Sequence, residues 1–249
     1  MRFDPPFAVG RLNRRYKRFL ADLETTRGDR LTVHCPNTGA MLGCDLPGSE
    51  AWYSESENPK RKYRHTLEVV VTDRGRIGVN TSRANALVRE ALESGVTTEF
   101  SGFQFERNEV PIPDEAGRFD LLLRDDAAQR ACFVEVKNMT LCDPDGRGSF
   151  PDAVSERALK HVRALERCVA AGDRGVLVFC VQHTGILRAT IADEIDPAYG
   201  RAVRTAADAG VEVIAYKCRI ERDEISIERP IPVDLSDQCT RFRKLTSVS

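Results

Sequence analysis

The sequence predicts a mixed α/β protein in which a small β-barrel precedes a domain of alternating helices and strands. Residues 8–80 carry short segments of strand-like alternation that are separated by turn signals. Beyond about residue 80, apolar residues recur at helical spacing in segments separated by strand-like runs. The charge changes as well, since residues 1–64 contain twelve basic and eight acidic residues in a chain of formal net charge −1. These observations indicate two domains with different tasks.

The first expected domain, residues 1–80, has the features of an OB-like barrel. Phe19, Ala21 and Leu23 alternate with neighbours that are mostly polar. Turn signals follow at residues 36–39, 47–48 and 73–75. Several short strands within about seventy residues suit such a barrel, whose open face commonly binds single-stranded nucleic acid or oligosaccharide.

The second expected domain, residues 81–235, has the order α-β-β-β-α-β with an α-β extension, which is a mixed α/β layer structure. Its first helix is predicted from the apolar stripe formed by Ala84, Leu87 and Val88, with Gly95 as a stop signal. The last fourteen residues, 236–249, are expected to form a loose tail. The predicted helices span residues 82–94, 153–171 and 197–209, and the predicted strands span residues 96–105, 118–124, 130–137, 176–181 and 211–217.

Composition narrows the class of protein. Hydrophobic residues at 41% and charged residues at 30% exclude a disordered or collagen-like chain. The eight cysteines are scattered without a Cys-x-x-Cys pair, which indicates reduced, buried thiols. No stretch approaches the roughly 18 apolar residues of a membrane-spanning helix, and the first residues lack the apolar core of a secretory signal. We therefore expect a cytoplasmic protein without a membrane partner.

Two predicted strands contain acidic residues among apolar neighbours. Alternation in the strand 130–137 places Phe133, Glu135 and Lys137 on one face. If this strand and the strand 118–124 are neighbours in a hairpin, Asp120 and Glu135 converge and offer a site to Mg²⁺ or Mn²⁺. Lys137 would then lie beside an attacking water and orient or deprotonate it. The alternative is an ion pair of Glu135 with Lys137 on an exposed sheet face.

The helix predicted over residues 82–94 offers a third acid. At 100° per residue, Glu90 lies at the margin of the apolar stripe, whereas Glu93 falls on the solvent side. Glu90 is therefore the candidate third metal ligand and catalytic acid. The alternative is an ordinary surface glutamate that favours helix formation.

Basic residues form two short runs in the barrel region, and each run includes a tyrosine. A polyanion such as DNA is the expected partner of such runs, and a merely solvated surface is the alternative. On the helix predicted over residues 153–171, Arg157 lies at the margin of the apolar stripe and Lys160 points away from it. Both are candidates for phosphate contacts or for plain solvent exposure. The candidate nucleic-acid-binding residues of the two runs are Arg14, Arg15, Lys17, Arg18, Lys60, Arg61, Lys62 and Arg64.

The combination of Asp120, Glu135-x-Lys137 and a helical Glu90 resembles the PD-(D/E)xK nuclease superfamily. The chain also resembles the sugar fermentation stimulation protein A (SfsA) family through motifs that extend from residue 34 to residue 183. This resemblance implies an OB-like N-terminal domain, a restriction-endonuclease-like C-terminal domain, non-specific DNA binding and a link to sugar utilisation. Departures from the family pattern are Gly117, where a serine is expected, and Ala158-Leu159. The motifs are His34–Met41, Asn58–Tyr63, Val79–Thr81, Val134–Asn138, Phe150–Val154, Lys160-His161 and Val181–His183.

These observations predict a non-specific DNA-binding protein with a Mg²⁺- or Mn²⁺-dependent site for phosphodiester hydrolysis. A non-catalytic DNA-binding regulator of sugar (maltose) utilisation genes is the alternative. A carbohydrate-binding protein is a third hypothesis, although Lys137 beside Glu135 suits metal-dependent hydrolysis better than a glycosidase carboxylate pair. RNA as the substrate and a homodimer as the assembly both stay open.

Overall fold

A computed structural model describes residues 1–113 and 115–236. The expected tail, residues 236–249, lies outside the described residues apart from Ser236.

The N-terminal region is a closed five-stranded barrel, as predicted. Antiparallel pairing joins β2 to β1 and β3, and joins β4 to β1 and β5. A parallel contact between His34 and Thr66 joins β3 to β5 and closes the barrel. A short strand, β6, extends the sheet beside β5. The bounds are β1 (Ala8–Tyr16), β2 (Leu20–Thr25), β3 (Arg30–His34), β4 (Glu50–Glu55), β5 (His65–Thr72) and β6 (Gly75–Gly78).

The C-terminal region is a six-stranded mixed sheet with the order β15-β14-β12-β9-β8-β7, and a smaller sheet of order β10-β11-β13-β16 lies beside it. Strand β9 is parallel to β12 and antiparallel to β8. The bounds are α1 (Ala84–Glu93), β7 (Gln104–Pro111), β8 (Arg118–Asp125), β9 (Arg130–Met139), β10 (Leu141–Cys142), β11 (Arg147–Phe150), α2 (Glu156–Ala170), β12 (Arg174–Val181), β13 (Arg188–Ile191), α3 (Pro197–Asp208), β14 (Glu212–Ile220), β15 (Ile225–Ile231) and β16 (Val233–Asp234).

Helices cover both faces of the large sheet, and strand alternation determines which residues each face receives. Val134 and Val136 belong to the same apolar cluster as Leu87 of α1. Phe133 belongs to the cluster formed with Val162 of α2 on the opposite face. The predicted alternation of β9 is confirmed, so Glu135 and Lys137 start on the α2 side of the sheet.

Two features differ from the sequence-based expectations. The strand predicted over residues 96–105 is wrong, because Thr98–Phe100 form a 3₁₀ turn and β7 begins only at Gln104. Residues 1–7, assigned above to the barrel domain, pack against the second domain. The amides of Phe3 and Phe7 donate to the carbonyls of Asp223 and Arg222, and the Phe7 side chain is buried. Burial of this apolar ring against α1 and β15 explains the difference.

The thiol prediction is confirmed for the seven described cysteines, which are all free and buried. Within residues 1–113 and 115–236, no helix is both long enough and apolar enough to cross a membrane.

Candidate functional site

A cavity of about 340 Å³ lies where the barrel meets the C-terminal domain, and it contains the predicted acids of β8 and β9. Its walls come from six parts of the chain: the segment after β3, the start of α1, the start of β8, the end of β9, the β10–β11 hairpin with the residues after it, and the start of α2. The side chains used in the argument below are Asn37, Asn85, Asp120, Glu135, Lys137 and Arg157.

Glu135 is a buried carboxylate with one bonded and one unbonded oxygen. Only 2% of the residue is exposed. Its Oε1 accepts hydrogen bonds from Lys137 Nζ and from His161 Nδ1, both at 2.5 Å. Its Oε2 is buried and has no hydrogen-bond partner among the described residues. An unpaired buried oxygen of this kind costs free energy.

Two opposing effects act on the ionisation of Glu135. Burial raises the pKa of its carboxyl group, but the hydrogen bond from His161 and the charge of Lys137 outweigh burial and hold the pKa below its usual value. The carboxylate is therefore ionised at neutral pH.

Asp120 lies where strands β8 and β9 separate. The last paired residues of this ladder are Leu121 and Val134. Beyond them, Asp120 Oδ2 accepts from the backbone amide of Val136 at 2.7 Å, and Oδ1 accepts from Asn85 Nδ2 at 2.8 Å. The side chain thus replaces the missing ladder bond and fixes its own carboxylate in the cavity.

Burial, followed by repulsion from the Glu135 carboxylate, raises the pKa of Asp120 to about 6. A divalent cation between two such carboxylates would relieve this repulsion. Asp120 and Glu135 thus line the same cavity, and their role as metal ligands stays a prediction.

Sequence reasoning missed two residues of the site. His161 of α2 is 2% exposed, bonds Glu135 and packs edge-on to the ring of Phe119 at 6.4 Å. Its signal in the sequence is a polar residue beside Val162 in an otherwise apolar helical stripe. Asn85 of α1 bonds Asp120, and no pattern in the sequence singles it out.

Glu90 does not lie at the site, and its prediction as a ligand is wrong. Its side chain is 53% exposed and pairs with the amino group of Met1 at 2.7 Å. Helix α1 contributes Asn85 to the cavity, and Glu90 follows more than a turn later on another side of the helix.

The two basic candidates on α2 have different surroundings in the structure. Arg157 lines the cavity, where a phosphate would meet its guanidinium. Lys160 pairs with Glu115 at 3.2 Å and does not line the cavity. Lys160 therefore has a local partner, as expected for a residue opposite the apolar stripe.

The basic residues of the first run of the barrel, residues 14–18, also differ in their surroundings. Arg14 pairs with Asp22 at 2.8 Å, and Lys17 and Arg18 form the exposed β1–β2 turn with positive φ angles. Arg15 donates instead to the carbonyls of Asn37 and Gly39 at 2.8 and 2.9 Å. Arg15 thus has a structural role at the cavity wall.

The second run, residues 60–64, lies on an exposed connection between β4 and β5. Arg61 donates to Thr66, Arg64 pairs with Glu55, and Lys62 lies 5.6 Å from the ring centre of Tyr63. Lys60 is exposed as well. None of these four basic residues lines the cavity, so their contact with nucleic acid stays a prediction.

The residues of the cavity fit a small divalent cation. Among the described residues, no group of three or more His, Cys, Asp or Glu side chains is arranged for a metal ion. Mg²⁺ needs fewer protein ligands, because it retains several waters and is typically held by one or two carboxylates together with substrate phosphate. The unpartnered Oε2 of Glu135 and the repelled carboxylate of Asp120 supply that donor set.

Comparisons with known proteins agree with this architecture. Residues 14–79 match the family model of the SfsA N-terminal OB domain, and residues 82–224 match that of the sugar fermentation stimulation protein RE domain. Sugar fermentation stimulation protein homologues from Teredinibacter turnerae and Shewanella loihica are 51% and 48% identical, over 94% of this chain and 100% of each relative. The structure of Pyrococcus furiosus SfsA in complex with Ca²⁺ has a TM-score of 0.85 at 21% identity, over 94% of this chain and 98% of that one. The chain therefore belongs to the sugar fermentation stimulation protein (SfsA) family.

Proposed function

We propose that this protein hydrolyses phosphodiester bonds in nucleic acid, with DNA as the first substrate to test, and that it does so with a bound Mg²⁺ or Mn²⁺. The observation that carries the proposal is the buried, unpartnered Oε2 of Glu135 in a polar cavity beside Asp120 and Lys137. Buried carboxylate oxygens usually have a hydrogen-bond partner, and a bound cation would supply one for this oxygen.

Glu135 and Asp120 would hold the cation. When bound, the cation would stabilise negative charge that develops on the phosphate and would lower the pKa of a nearby water. Pyrococcus furiosus SfsA, which has the same fold, was obtained in complex with Ca²⁺, another cation that prefers oxygen ligands. That complex supports a divalent-cation site in this fold.

The remaining side chains position the reacting groups. Lys137 places an ammonium 2.5 Å from Glu135 Oε1, where it can also orient the attacking water. His161 fixes the same oxygen from the opposite element, so Oε2 keeps its direction. Arg157 offers a guanidinium to the phosphate, which suits its planar array of donors.

The lining of the cavity suits the backbone of a nucleic acid rather than its bases. Asn37, Thr38, Asn138 and Thr140 contribute neutral polar groups, and Phe150 is the one aromatic residue in the described lining. Contacts to phosphate and sugar carry no sequence information by themselves. The proposed activity is accordingly independent of sequence.

The test is cleavage of labelled DNA and RNA by the wild type, Glu135→Gln and Glu90→Gln, each with Mg²⁺, Mn²⁺ or EDTA. We expect metal-dependent cleavage by the wild type and by Glu90→Gln, and loss of cleavage in Glu135→Gln. Glu90 is the matched control because it is an exposed glutamate outside the cavity. Binding without cleavage under every condition would contradict the proposal and favour a DNA-binding protein without catalysis.

A further inference from the structure

We propose that the cavity accepts an unpaired strand, and that the barrel segment, residues 36–41, excludes an intact duplex from it. This inference rests on the proposed function and names its substrate class. It rests on two observations: the barrel segment is bonded to both domains, and it lines the same cavity as the carboxylates.

The barrel segment is a wall of the cavity although it belongs to the other domain. Asn37, Thr38 and Gly39 line the same space as Asp120 and Glu135. The barrel therefore helps to define which part of a substrate reaches the acids.

Bonds from three directions fix the barrel segment. Arg15 of β1 donates to the carbonyls of Asn37 and Gly39. Thr81, just before α1, donates to the carbonyl of Pro36 at 2.7 Å. The amide of Met41 donates to Asp152 of the C-terminal domain at 3.2 Å. A segment with these partners stays in place when a substrate approaches.

The packing at Gly39 shows how closely the barrel segment approaches the C-terminal domain. A Cβ atom added there would lie 2.6 Å from Asp152 Oδ2 and 3.1 Å from Asn37 Oδ1. Both distances are shorter than ordinary contacts, so an alanine at this position would force the segment and the Asp152 carboxylate apart. Glycine at position 39 thus allows the barrel segment to pack closely against Asp152.

The depth and size of the cavity determine what can enter. The side chains of Glu135 and Lys137 are 3% and 14% exposed, so a scissile phosphate must descend to reach them. The volume of 340 Å³ lies near the lower end of the roughly 300 to 1,000 Å³ range of ordinary ligand pockets. This space suits a short piece of one strand.

Duplex stiffness makes that descent costly. The persistence length of duplex DNA is about 150 base pairs, so lowering one of its phosphates into a walled recess requires bending or unpairing. A single strand bends freely, so the same movement requires little free energy. Single-stranded regions, overhangs and frayed ends are therefore the substrates that the geometry favours.

The experiment compares cleavage rates on one DNA sequence as a single strand, as a blunt duplex and as a duplex with a single-stranded overhang. We expect the single strand and the overhang to be cut at least about tenfold faster than the duplex, because only the duplex must be bent. Equal rates on single strand and duplex would overturn this inference while the proposed hydrolysis stands. Absence of cleavage on all substrates would overturn the proposed function itself, and this inference with it.

Variants test whether the barrel segment causes the discrimination. Arg15→Met removes two bonds to the segment, and Gly39→Ala displaces it while leaving Arg15 in place. Both should lower the single-strand preference at least about threefold, by opening the path for a bent duplex. The control is Arg11→Met, since Arg11 also lies on β1 and donates to a loop carbonyl, that of Gly48, outside the cavity. An unchanged preference in folded Arg15→Met and Gly39→Ala would overturn the role of the barrel segment.

Discussion

The two domains each contain a fully buried glutamate, and the two side chains differ in how their oxygens are bonded. Glu68 of the barrel strand β5 is 1% exposed, and Glu135 of β9 is 2% exposed. Glu68 Oε1 accepts from Ser54 at 2.7 Å and from Arg83 at 2.8 Å, while its Oε2 accepts from Asn80 at 2.8 Å and again from Arg83 at 3.2 Å. Glu135 has two donors on Oε1 and none on Oε2 among the described residues.

This difference is what we expect between a structural carboxylate and the proposed metal-binding one. Four hydrogen bonds compensate the burial of Glu68, so the carboxylate stabilises the junction between the barrel and α1. Glu135 retains an uncompensated oxygen, and the residue lines a cavity. Burial alone does not distinguish the two glutamates, whereas the donors to each of their oxygens do.

The strongest test of the comparison exchanges each glutamate for glutamine. Glu135→Gln should lower cleavage at least about 1,000-fold, because a metal site supplies several kcal/mol of charge stabilisation. Its melting temperature should also fall, because the change removes the anionic partner of the largely buried Lys137, so cleavage is compared per folded molecule. Cleavage assays and thermal unfolding of the same preparations measure both effects.

Glu68→Gln should lower stability without lowering cleavage by the folded protein. Loss of one charge from a buried pair costs about 3 kcal/mol, which should lower the melting temperature by about 6 °C or more. The cleavage rate per folded molecule should stay near that of the wild type at a temperature where the variant is folded. Comparable losses of cleavage in the two variants would remove the distinction between the glutamates.

Lys137→Met tests whether the lysine acts on the water or only supports the carboxylates. Removal of the ammonium should lower the cleavage rate about 100-fold, as for loss of a residue that orients or deprotonates a nucleophile. Mn²⁺ affinity should be retained, because both carboxylates remain. Turnover rates, Mn²⁺ affinity and the melting temperature are measured on the same sample. If all three fall together, Lys137 has a purely structural role.

His161→Ala makes Glu135 less like Glu68 by removing one donor from its bonded oxygen. Metal affinity should fall about 10- to 100-fold, the usual effect of losing a side chain that orients a ligand. His161→Gln, which can still donate to Glu135, should recover part of the affinity. Calorimetric Mn²⁺ titration distinguishes the two, and equal affinity in wild type and His161→Ala would contradict the positioning role.

The smallest expected effect concerns the two basic residues of α2. Arg157→Ala should weaken substrate binding about tenfold, because a charge-assisted hydrogen bond to phosphate contributes about 1.5 kcal/mol. Lys160→Ala is the control, since Lys160 pairs with Glu115 outside the cavity. Fluorescence anisotropy with labelled DNA and Ca²⁺ measures both affinities. Equal weakening by the two variants would show that general charge, rather than the cavity, binds the strand.

Local patterns in the sequence were sufficient to predict that Asp120 and Glu135 lie close together in the sheet. Apolar alternation in β9 places Glu135 and Lys137 on the same face, and the hairpin with β8 brings Asp120 beside them. Helices α2 and α3 begin and end within three residues of the predicted bounds, because their stripes and caps are local signals.

Residues whose roles depend on distant parts of the chain were not predictable in this way. Glu90 has a suitable angle on α1, but the angle does not reveal that the amino group of Met1 occupies that side. His161 carries no local mark of its bond to Glu135, which comes from another element of the sheet. Arg15 reads as part of a charge run in the sequence, and only the folded barrel shows that it binds the carbonyls of Asn37 and Gly39.

The most direct test of the central claim is Mn²⁺ binding, measured by electron paramagnetic resonance, in the wild type, Asp120→Asn, Glu135→Gln and Glu68→Gln. We predict that the wild type and Glu68→Gln bind Mn²⁺ with similar affinity, and that the other two variants bind it at least about tenfold more weakly. Equal affinity in all four folded proteins, or no binding by the wild type, would contradict the assignment of Glu135 and Asp120 as the metal site.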